Sequence, residues 1–379
     1  MSYSIVKPGV RHPALAVNAL GLTKRDYEGA MSTLCAGCGH DSVTAAIVQA
    51  FWEMEVEPHR VAKLSGIGCS SKTPTYFVRE AHGFNSVHGR MPSVATGANA
   101  ANRDLLYIGI SGDGDSLSIG LGQLCHAIRR NVNLLYVLEN NGVYGLTKGQ
   151  FSASADVGSK AKKGEANAQR PIDPVLLALS LGATFVARSF SGDKDHLVPI
   201  LKAGFSHNGF ALVDVISPCV TFNDHTGSTK SYRYTREHLQ DLAPVDYVPI
   251  QREIKVGTSV AGENNGLDGA HSDGGTNDTG AGGDARGGAP LSITMHDGST
   301  VRFRKVPEGY DPTDRDAAYA HVRALQVQGE VATGLLFIDP DMPDMHEQNA
   351  TVARPLVDLP YQALCPGDAA LEALQREYR

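Results

Sequence analysis

Long apolar runs are missing from this chain. None of its 379 residues fall in an uninterrupted stretch near the roughly 18–20 that span a bilayer. The opening residues, MSYSIVKPGVRHPALAVNALG, also lack the compact apolar segment of a secretory signal. Together these absences set the expectation of a cytoplasmic protein that meets no membrane. Excess positive charge is missing too: 34 Lys and Arg stand against 41 Asp and Glu, a net charge of −7. A nucleic acid as main ligand favours a basic face, so none is expected as a partner. Cysteine is scarce, at six residues, and a reducing compartment gives disulfides little place, so the cysteines need another use. No internal repeat is visible.

What remains is an ordinary globular composition, 42% hydrophobic and 20% charged, on a chain longer than one typical domain. Residues 1–30 read as an irregular N-terminal arm. From residue 31 to 250 apolar strands alternate with helices. SVTAAIVQAFWEM, SVATGANAANRD, SLSIGLGQLCHAIRRN, PVLLALSLG and HLVPILKAGFSHNG read as helices; Val61 onward, DLLYIGIS, NLLYVLENN, ATFVARSF and FALVDVIS read as strands. Strands that are continuous apolar runs separated by helices predict an α/β fold, a doubly wound, mostly parallel sheet covered on both faces. The pattern stops near 250. Residues 257–290 are rich in Gly, Asn, Asp and Ser and read as a flexible linker. Residues 291–379 hold a hairpin turning at Asp297-Gly298, a helix (RDAAYAHVRALQVQG) and a strand (ATGLLFID), expected as a C-terminal extension packed on the main body or on a partner.

One strand exit raises a chemical question. LLYIGI leads into Ser111-Gly112-Asp113-Gly114-Asp115. Glycines there suit a sharp turn and a close approach of backbone to phosphate. Two carboxylates repel a phosphate unless a cation lies between. The next strand ends at Glu139-Asn140-Asn141-Gly142-Val143-Tyr144-Gly145. Asp113 and Asn141 thus stand at the carboxyl ends of consecutive parallel strands, the edge where ligands of doubly wound sheets collect. Asp and Asn side-chain oxygens and a backbone carbonyl are hard donors suited to Mg²⁺, which resolves the tension. The arrangement resembles the thiamine-diphosphate signature, GDG followed some two dozen residues later by NN. The resemblance implies that Asp113, the Asn141 side chain and the Val143 carbonyl hold Mg²⁺, and that Gly112, Gly114, Asp115, Gly145 and Leu146 contact the diphosphate.

Four cysteines carry a second signal: Cys35 and Cys38 in CAGCGH, Cys69 in GIGCSSK and Cys219 in SPC. Cys-x2-Cys with two isolated cysteines can complete four thiolates around zinc or an iron–sulfur cluster. The second Cys-x2-Cys knuckle of a zinc ribbon is absent, and a redox Cys-x2-Cys leaves Cys69 and Cys219 without a task. Cys125, in an apolar helix stripe, and Cys365, in the tail, read as packing residues.

CAGCGH (35–40), GIGCSSK (66–72), HGR (88–90), GDGD (112–115), NNGVYGLTKGQ (from Asn140) and SPC (217–219) together resemble the beta subunit of 2-oxoacid:ferredoxin oxidoreductases, over roughly residues 30–250. The resemblance implies a fold of the thiamine-diphosphate-binding type with a [4Fe–4S] cluster on Cys35, Cys38, Cys69 and Cys219. It implies that Ile67, Gly68, Cys69, Ser70 and His88 line the cofactor, with His40 an open case, and that Lys72, Leu146 and Lys148 lie at the substrate end. Two loops that each bring a lysine suit a dicarboxylate, 2-oxoglutarate above all. The implied reaction converts 2-oxoglutarate, coenzyme A and oxidised ferredoxin to succinyl-coenzyme A, CO₂ and reduced ferredoxin, by a thiamine enamine and one-electron transfer to the cluster. No catalytic residue is assigned to this chain. The glutamate that activates the aminopyrimidine stands at no motif, and in the resembled family an alpha subunit supplies it, so an alpha–beta heterodimer or a dimer of such heterodimers is expected. Lys160, Lys162 and Lys163 read as a solvated loop tip, and His126 as structural. Three alternatives stay open: pyruvate or a branched-chain oxoacid as substrate, a non-redox thiamine decarboxylase with structural zinc, and a diphosphate- or nucleotide-binding module.

Overall fold

The computed structural model describes residues 5–7, 12–160, 165–250 and 291–378. The linker read at 257–290, with Lys162 and Lys163, lies outside them.

In chain order, α1 (Gly39–Glu53) begins directly after Cys38 and leads to β1 (Val61–Ser65). The edge strand β2 (His82–Asn85) and α2 (Met91–Ala101) follow. Next come β3 (Leu106–Gly112), α3 (Leu121–Arg129) and β4 (Leu134–Asn140), then a small hairpin of β5 (Val143–Tyr144) and β6 (Gln150–Phe151). After α4 (Pro174–Leu181), β7 (Phe185–Phe190), α5 (Lys194–Ser206) and β8 (Phe210–Ile216) close the alternating part. Beyond it lie α6 (Tyr232–His238), β9 (Leu239–Ala243), β10 (Val245–Val248), β11 (Ser292–Thr294), β12 (Thr300–Phe303), α7 (Arg315–Val327) and β13 (Val331–Ile338).

Eight strands form one sheet in the order β2-β1-β3-β4-β8-β7-β13-β9. Every pairing is parallel except β13 with β7. The central strands β4 and β8 are buried at every position, which is why they read as unbroken apolar runs. Helices α1 and α5 cover one face, with Phe51 and Phe205 rings 4.5 Å apart; α2, α3, α4 and α7 cover the other. Local chemistry fixes the boundaries. The Asp173 side chain caps α4 by accepting from the Val175 and Leu176 amides, and Gly182, at φ +83°, ends it.

Two features differ from the sequence reading. Residues 291–338 do more than pack on the body: β11 and β12 form the expected hairpin with Gly298 at φ +82°, and β13 is hydrogen-bonded into the main sheet between β7 and β9. The residues after Asp113 do not continue one helix; they form a π-helical turn (Gly114–Ile119), closed by the Gly120 amide on the Asp115 carbonyl at 2.8 Å, before α3 starts. The last short helices, Tyr361–Leu364 and Asp368–Glu377, bury nothing in the chain. Among the described residues no helix is long and apolar enough to cross a membrane.

Candidate active site

Strand register assembles the site. Ser65 of β1 pairs with Ile110 of β3, Gly112 of β3 with Glu139 of β4, and Asn140 of β4 with Ile216 of β8. The segments leaving these strands, 66–69, 113–120, 141–149 and 217–219, therefore emerge together at the carboxyl edge of the sheet. The first three enclose a cavity of about 80 Å³. Ile67, Gly68, Cys69, Ser70 and His88 line it, as do Gly112, Asp113, Gly114 and Asp115. Asn141, Val143, Gly145 and Leu146 complete the set expected for the cofactor and its cation. His40, Tyr144 and Thr147 join them. A larger cavity, about 710 Å³, lies beside the exposed edge strand β2 and is lined in part by Ser65 and Ser71, which flank the 66–70 loop.

The two carboxylates of the turn have different surroundings. Asp113, 1% exposed, is tied through Oδ2, which accepts from the Gly142 amide at 2.9 Å, from the Ser154 hydroxyl at 2.6 Å and from Ser152. Its Oδ1 receives only the Asn141 amide, at 3.5 Å, and is left for the cavity. Asp115 is committed on both sides. Oδ1 accepts from the Gly89 amide at 2.7 Å and the Ile67 amide at 3.2 Å, and Oδ2 from the Ser111 hydroxyl at 2.7 Å. His88 Nδ1 stands 2.5 Å from the same Oδ1 without the alignment of a hydrogen bond. Asp115 thus staples the loops after β1 and β2 to the turn after β3.

The glycines are required by closeness. A methyl on Gly114 would lie 2.5 Å from the Tyr144 ring, whose hydroxyl donates to the Gly114 carbonyl at 2.9 Å. One on Gly66 would fall 1.9 Å from Asp115 Oδ2.

The four cysteines adjoin the same cavity. Cys69 lines it, and a methyl on Gly145 would stand 3.3 Å from Cys69 Sγ and 3.7 Å from Cys219 Sγ. Thr221 Oγ1 donates to Cys35 Sγ at 3.5 Å, and the Gly39 amide, next to Cys38, donates to the Pro218 carbonyl at 3.2 Å. Burial pushes the Cys38 thiol up to about 12, and burial followed by the neighbouring Cys219 raises Cys69. Thiolates in such a place need a compensating cation. Among the described residues no three His, Cys, Asp or Glu side chains are close enough to hold a single ion.

His40 lines the cavity, and Glu139 lies beyond it, with Oε2 3.4 Å from His40 Nδ1. His40 is 1% exposed, and burial pushes its pKa down to about 4; Nδ1 meets Ser217 Oγ at 2.7 Å and Nε2 lies 3.4 Å from the Asn141 amide nitrogen. Glu139 is fully buried and accepts from Thr73 Oγ1 at 3.1 Å on each oxygen; burial holds its carboxyl far above the usual range. The sequence reading passed over Glu139, since no motif spacing marks it. It does not line the cavity, whose carboxylates are Asp113 and Asp115. Tyr144, Ser152 and Ser154 were also passed over; Tyr144 alone lay inside a quoted motif. Lys72 and Lys148 are outside the cavity: Lys72 reaches Thr33 Oγ1 at 3.5 Å, and Lys148 is exposed at φ +77° on the β5–β6 turn. Cys125 is partly buried on α3, whereas Cys365 is exposed after a helix that buries nothing and so is not the packing residue expected.

Residues 66–215 match the family described as thiamine pyrophosphate enzyme, C-terminal TPP binding domain. The 2-oxoacid:ferredoxin oxidoreductase subunit beta of Saccharolobus solfataricus is 43% identical over 211 residues, 55% of this chain and 68% of that protein. The 2-oxoglutarate oxidoreductase subunit KorB of Mycobacterium tuberculosis is 43% identical over 191 residues, 50% of this chain and 51% of that protein. Among solved structures, 2-oxoglutarate:ferredoxin oxidoreductase from Magnetococcus marinus, with 2-oxoglutarate, coenzyme A and succinyl-CoA bound, superposes with a TM-score of 0.65 at 27% identity, covering 88% of this chain and 92% of that one. On these likenesses, added to the loops gathered at the sheet edge, the chain belongs to the family of 2-oxoacid:ferredoxin oxidoreductase beta subunits.

Proposed function

We propose that the chain is the thiamine-diphosphate-binding subunit of a 2-oxoglutarate:ferredoxin oxidoreductase. Together with an alpha subunit it would convert 2-oxoglutarate, coenzyme A and two oxidised ferredoxins to succinyl-coenzyme A, CO₂ and two reduced ferredoxins. The carrying observation is the juxtaposition of a glycine-lined cavity bearing hard oxygen donors with Cys69 and Cys219 beside Gly145, and with Cys35 and Cys38 within electrostatic reach of those two. The 2-oxoglutarate in the names of relatives and in the Magnetococcus marinus complex supports the substrate.

The residues present fit the groups this reading requires. Asp113 Oδ1, Asn141 Oδ1 and the Val143 carbonyl are the donors for Mg²⁺, and Gly112, Gly114 and Gly145 keep backbone free of side chains where a diphosphate lies. Cys35, Cys38, Cys69 and Cys219 would hold a [4Fe–4S] cluster. When bound, thiamine diphosphate supplies the electron sink that decarboxylation of a 2-oxoacid demands, and the cluster takes electrons singly. This chain's part is orientation. Asp115 fixes three loops to one another, and His40, kept neutral by burial, faces Asn141 without adding charge to the cation site. Lys72 and Lys148 are assigned to the substrate carboxylates, and Leu146 to the wall beside them. Coenzyme A and the glutamate that activates the aminopyrimidine are assigned to the alpha subunit. Free thiolates suit a reducing compartment, the cytoplasm.

The test is anaerobic purification of the chain with its alpha partner, followed by metal and thiamine analysis and a viologen assay. The reading expects a brown complex with iron and sulfide near about four each per chain, bound thiamine diphosphate, and dye reduction dependent on 2-oxoglutarate and coenzyme A. Zinc without colour, or no thiamine, rejects it; faster reduction with pyruvate or a branched-chain oxoacid changes the substrate and keeps the class.

A further inference from the structure

We propose that Ser152 and Ser154 are positioning residues that select which oxygen of Asp113 meets the cation. The inference rests on the reading of Asp113 as a ligand of the diphosphate-bound Mg²⁺ and extends it to residues outside the GDG and NN motifs. A carboxylate on a turn is free to rotate, and either oxygen, or both, can face the cavity. Here rotation is blocked. Asp113 Oδ2 is occupied by three donors, the Gly142 amide at 2.9 Å, the Ser154 hydroxyl at 2.6 Å and the Ser152 hydroxyl. Oδ1 has a single long contact, 3.5 Å from the Asn141 amide. One oxygen is anchored in the protein and the other is presented.

The two serines are themselves held. Ser152 is 6% exposed and Ser154 1%. Their segment is strapped to the loops on either side of the cavity: the Ser152 amide donates to the Gly142 carbonyl at 3.3 Å, and the Ala153 amide to Ser118 Oγ at 3.1 Å. Behind Ser154 lies a buried polar chain. Ser154 Oγ is 2.9 Å from Asn140 Oδ1, Asn140 Nδ2 donates to Asp214 Oδ1 at 3.1 Å, and Asp214 Oδ2 accepts from Arg188 Nε at 2.7 Å. Arg188 also donates to Asp173 Oδ1 at 2.7 Å. The guanidinium fixes Asp214 and Asp214 fixes the amide of Asn140, whose oxygen competes for the one Ser154 hydrogen; the charged Asp113 oxygen, at the shorter 2.6 Å, is the stronger acceptor. Outer partners of metal-ligating carboxylates set affinity in this way, and their loss weakens metal binding by roughly 10–100-fold.

The test uses the complete alpha–beta complex, stripped of divalent cation with chelator. MgCl₂ is titrated at fixed thiamine diphosphate, with cofactor retention after gel filtration and binding heat as readouts beside the rate. Ser152→Ala and Ser154→Ala are expected each to raise the half-saturating Mg²⁺ concentration about tenfold. The rate lost at low Mg²⁺ should return at saturating Mg²⁺, and Ser154→Thr, which keeps the hydroxyl, should restore the native half-saturation. Native Mg²⁺ dependence in both alanine variants overturns the proposal, as does a lowered rate that excess Mg²⁺ fails to recover. Asp113→Asn separates the two levels. If it too binds Mg²⁺ and thiamine diphosphate like the native complex, the metal reading is what fails; if it loses them while the serine variants do not, only the positioning role falls.

Discussion

Asp115 offers the sharpest test of how the loops are held. The sequence reading placed it on the diphosphate; its hydrogen bonds make it a staple. Asp115→Ala removes the acceptor of the Gly89 amide, the Ile67 amide and the Ser111 hydroxyl at once. Gly89 and Ser111 are buried and lose any route to water, whereas Ile67 is 39% exposed and recovers part of its loss. The buried Gly89 amide left unpaired costs ~1–3 kcal/mol, with a little more for Ile67 and for Ser111, whose hydroxyl still has the Gly112 carbonyl at 3.4 Å, so about 2–4 kcal/mol in all. Asp115→Asn is milder. The amide oxygen can serve Gly89 and Ile67 while the amide nitrogen donates to Ser111 Oγ, so the geometry survives and only charge assistance is lost, about 1 kcal/mol. At ~2 °C per kcal/mol for a large chain, thermal denaturation of the cofactor-free complex should show losses of about 4–8 °C for Ala and about 2 °C for Asn. Direct action on the diphosphate or its cation predicts something else: equal losses of cofactor affinity in both variants and an unchanged cofactor-free transition. That result refutes the staple.

Three further outcomes follow from the same geometry. Cys219→Ser should cut iron and sulfide per chain and bleach the visible absorbance of the anaerobic complex while thiamine diphosphate is still bound; full cluster content in the variant excludes Cys219 as a ligand. Lys148→Ala should lower kcat/KM for 2-oxoglutarate by about 10–100-fold, the worth of a hydrogen bond to a charged group, and leave pyruvate turnover little changed; equal losses on both acids remove Lys148 from substrate selection. His207, buried against Thr184 at 2.7 Å, is pushed down by burial to about 3 from an ordinary 6.5. Its folded pKa is depressed, so its contribution is whole above pH 6.5 and is lost as pH falls toward 3, on the order of 5 kcal/mol across that window. Thermal scans between pH 7 and pH 4 should therefore slope less in His207→Gln than in the native protein, and parallel slopes refute the assignment.

The alternating core was legible because each of its elements carries its own signature. β4 and β8 are apolar at nearly every position since both faces are covered, and α4 announces itself by Asp173 before it and Gly182 after it. The strands that escaped notice lack such signals. β2 is exposed along its length, and β9 is polar in its first half. The place of β13 depends on contacts that no local pattern encodes: its sequence reads as a strand, but its insertion beside β7 joins residues far apart in the chain. The site divides in the same way. Asp113, Asn141 and the cysteines stand in short motifs whose spacing reflects one loop and one ligand. Ser152 and Ser154 act across 39 and 41 residues on a single carboxylate, and serine is too common a residue for that pairing to show in the sequence. Glu139 was read as the end of a strand, and only packing reveals a carboxyl sealed against Thr73.

The size of the cavity bears on what this subunit can do unaided. Cofactor and small-molecule sites run ~300–1,000 Å³ and bury most of their ligand. The cavity here is about 80 Å³, room for a diphosphate and its cation but not for the two rings of thiamine. The wall that should enclose those rings is open, and the side chains at its margin are apolar: Ile67 is 39% exposed, Leu146 47%, and Val87, next to His88, 71%. Apolar groups beside a reacting carbanion are useful only if water is kept out, and this chain alone does not keep it out. Family membership as a beta subunit and the open wall therefore point the same way. On the proposed reading an alpha subunit closes that wall, so affinity for thiamine diphosphate should rise on assembly because ring burial is added to the diphosphate site. Equal affinity in the isolated chain and in the complex would mean that the cavity closes by itself, and would place the rings somewhere other than against Ile67 and Leu146.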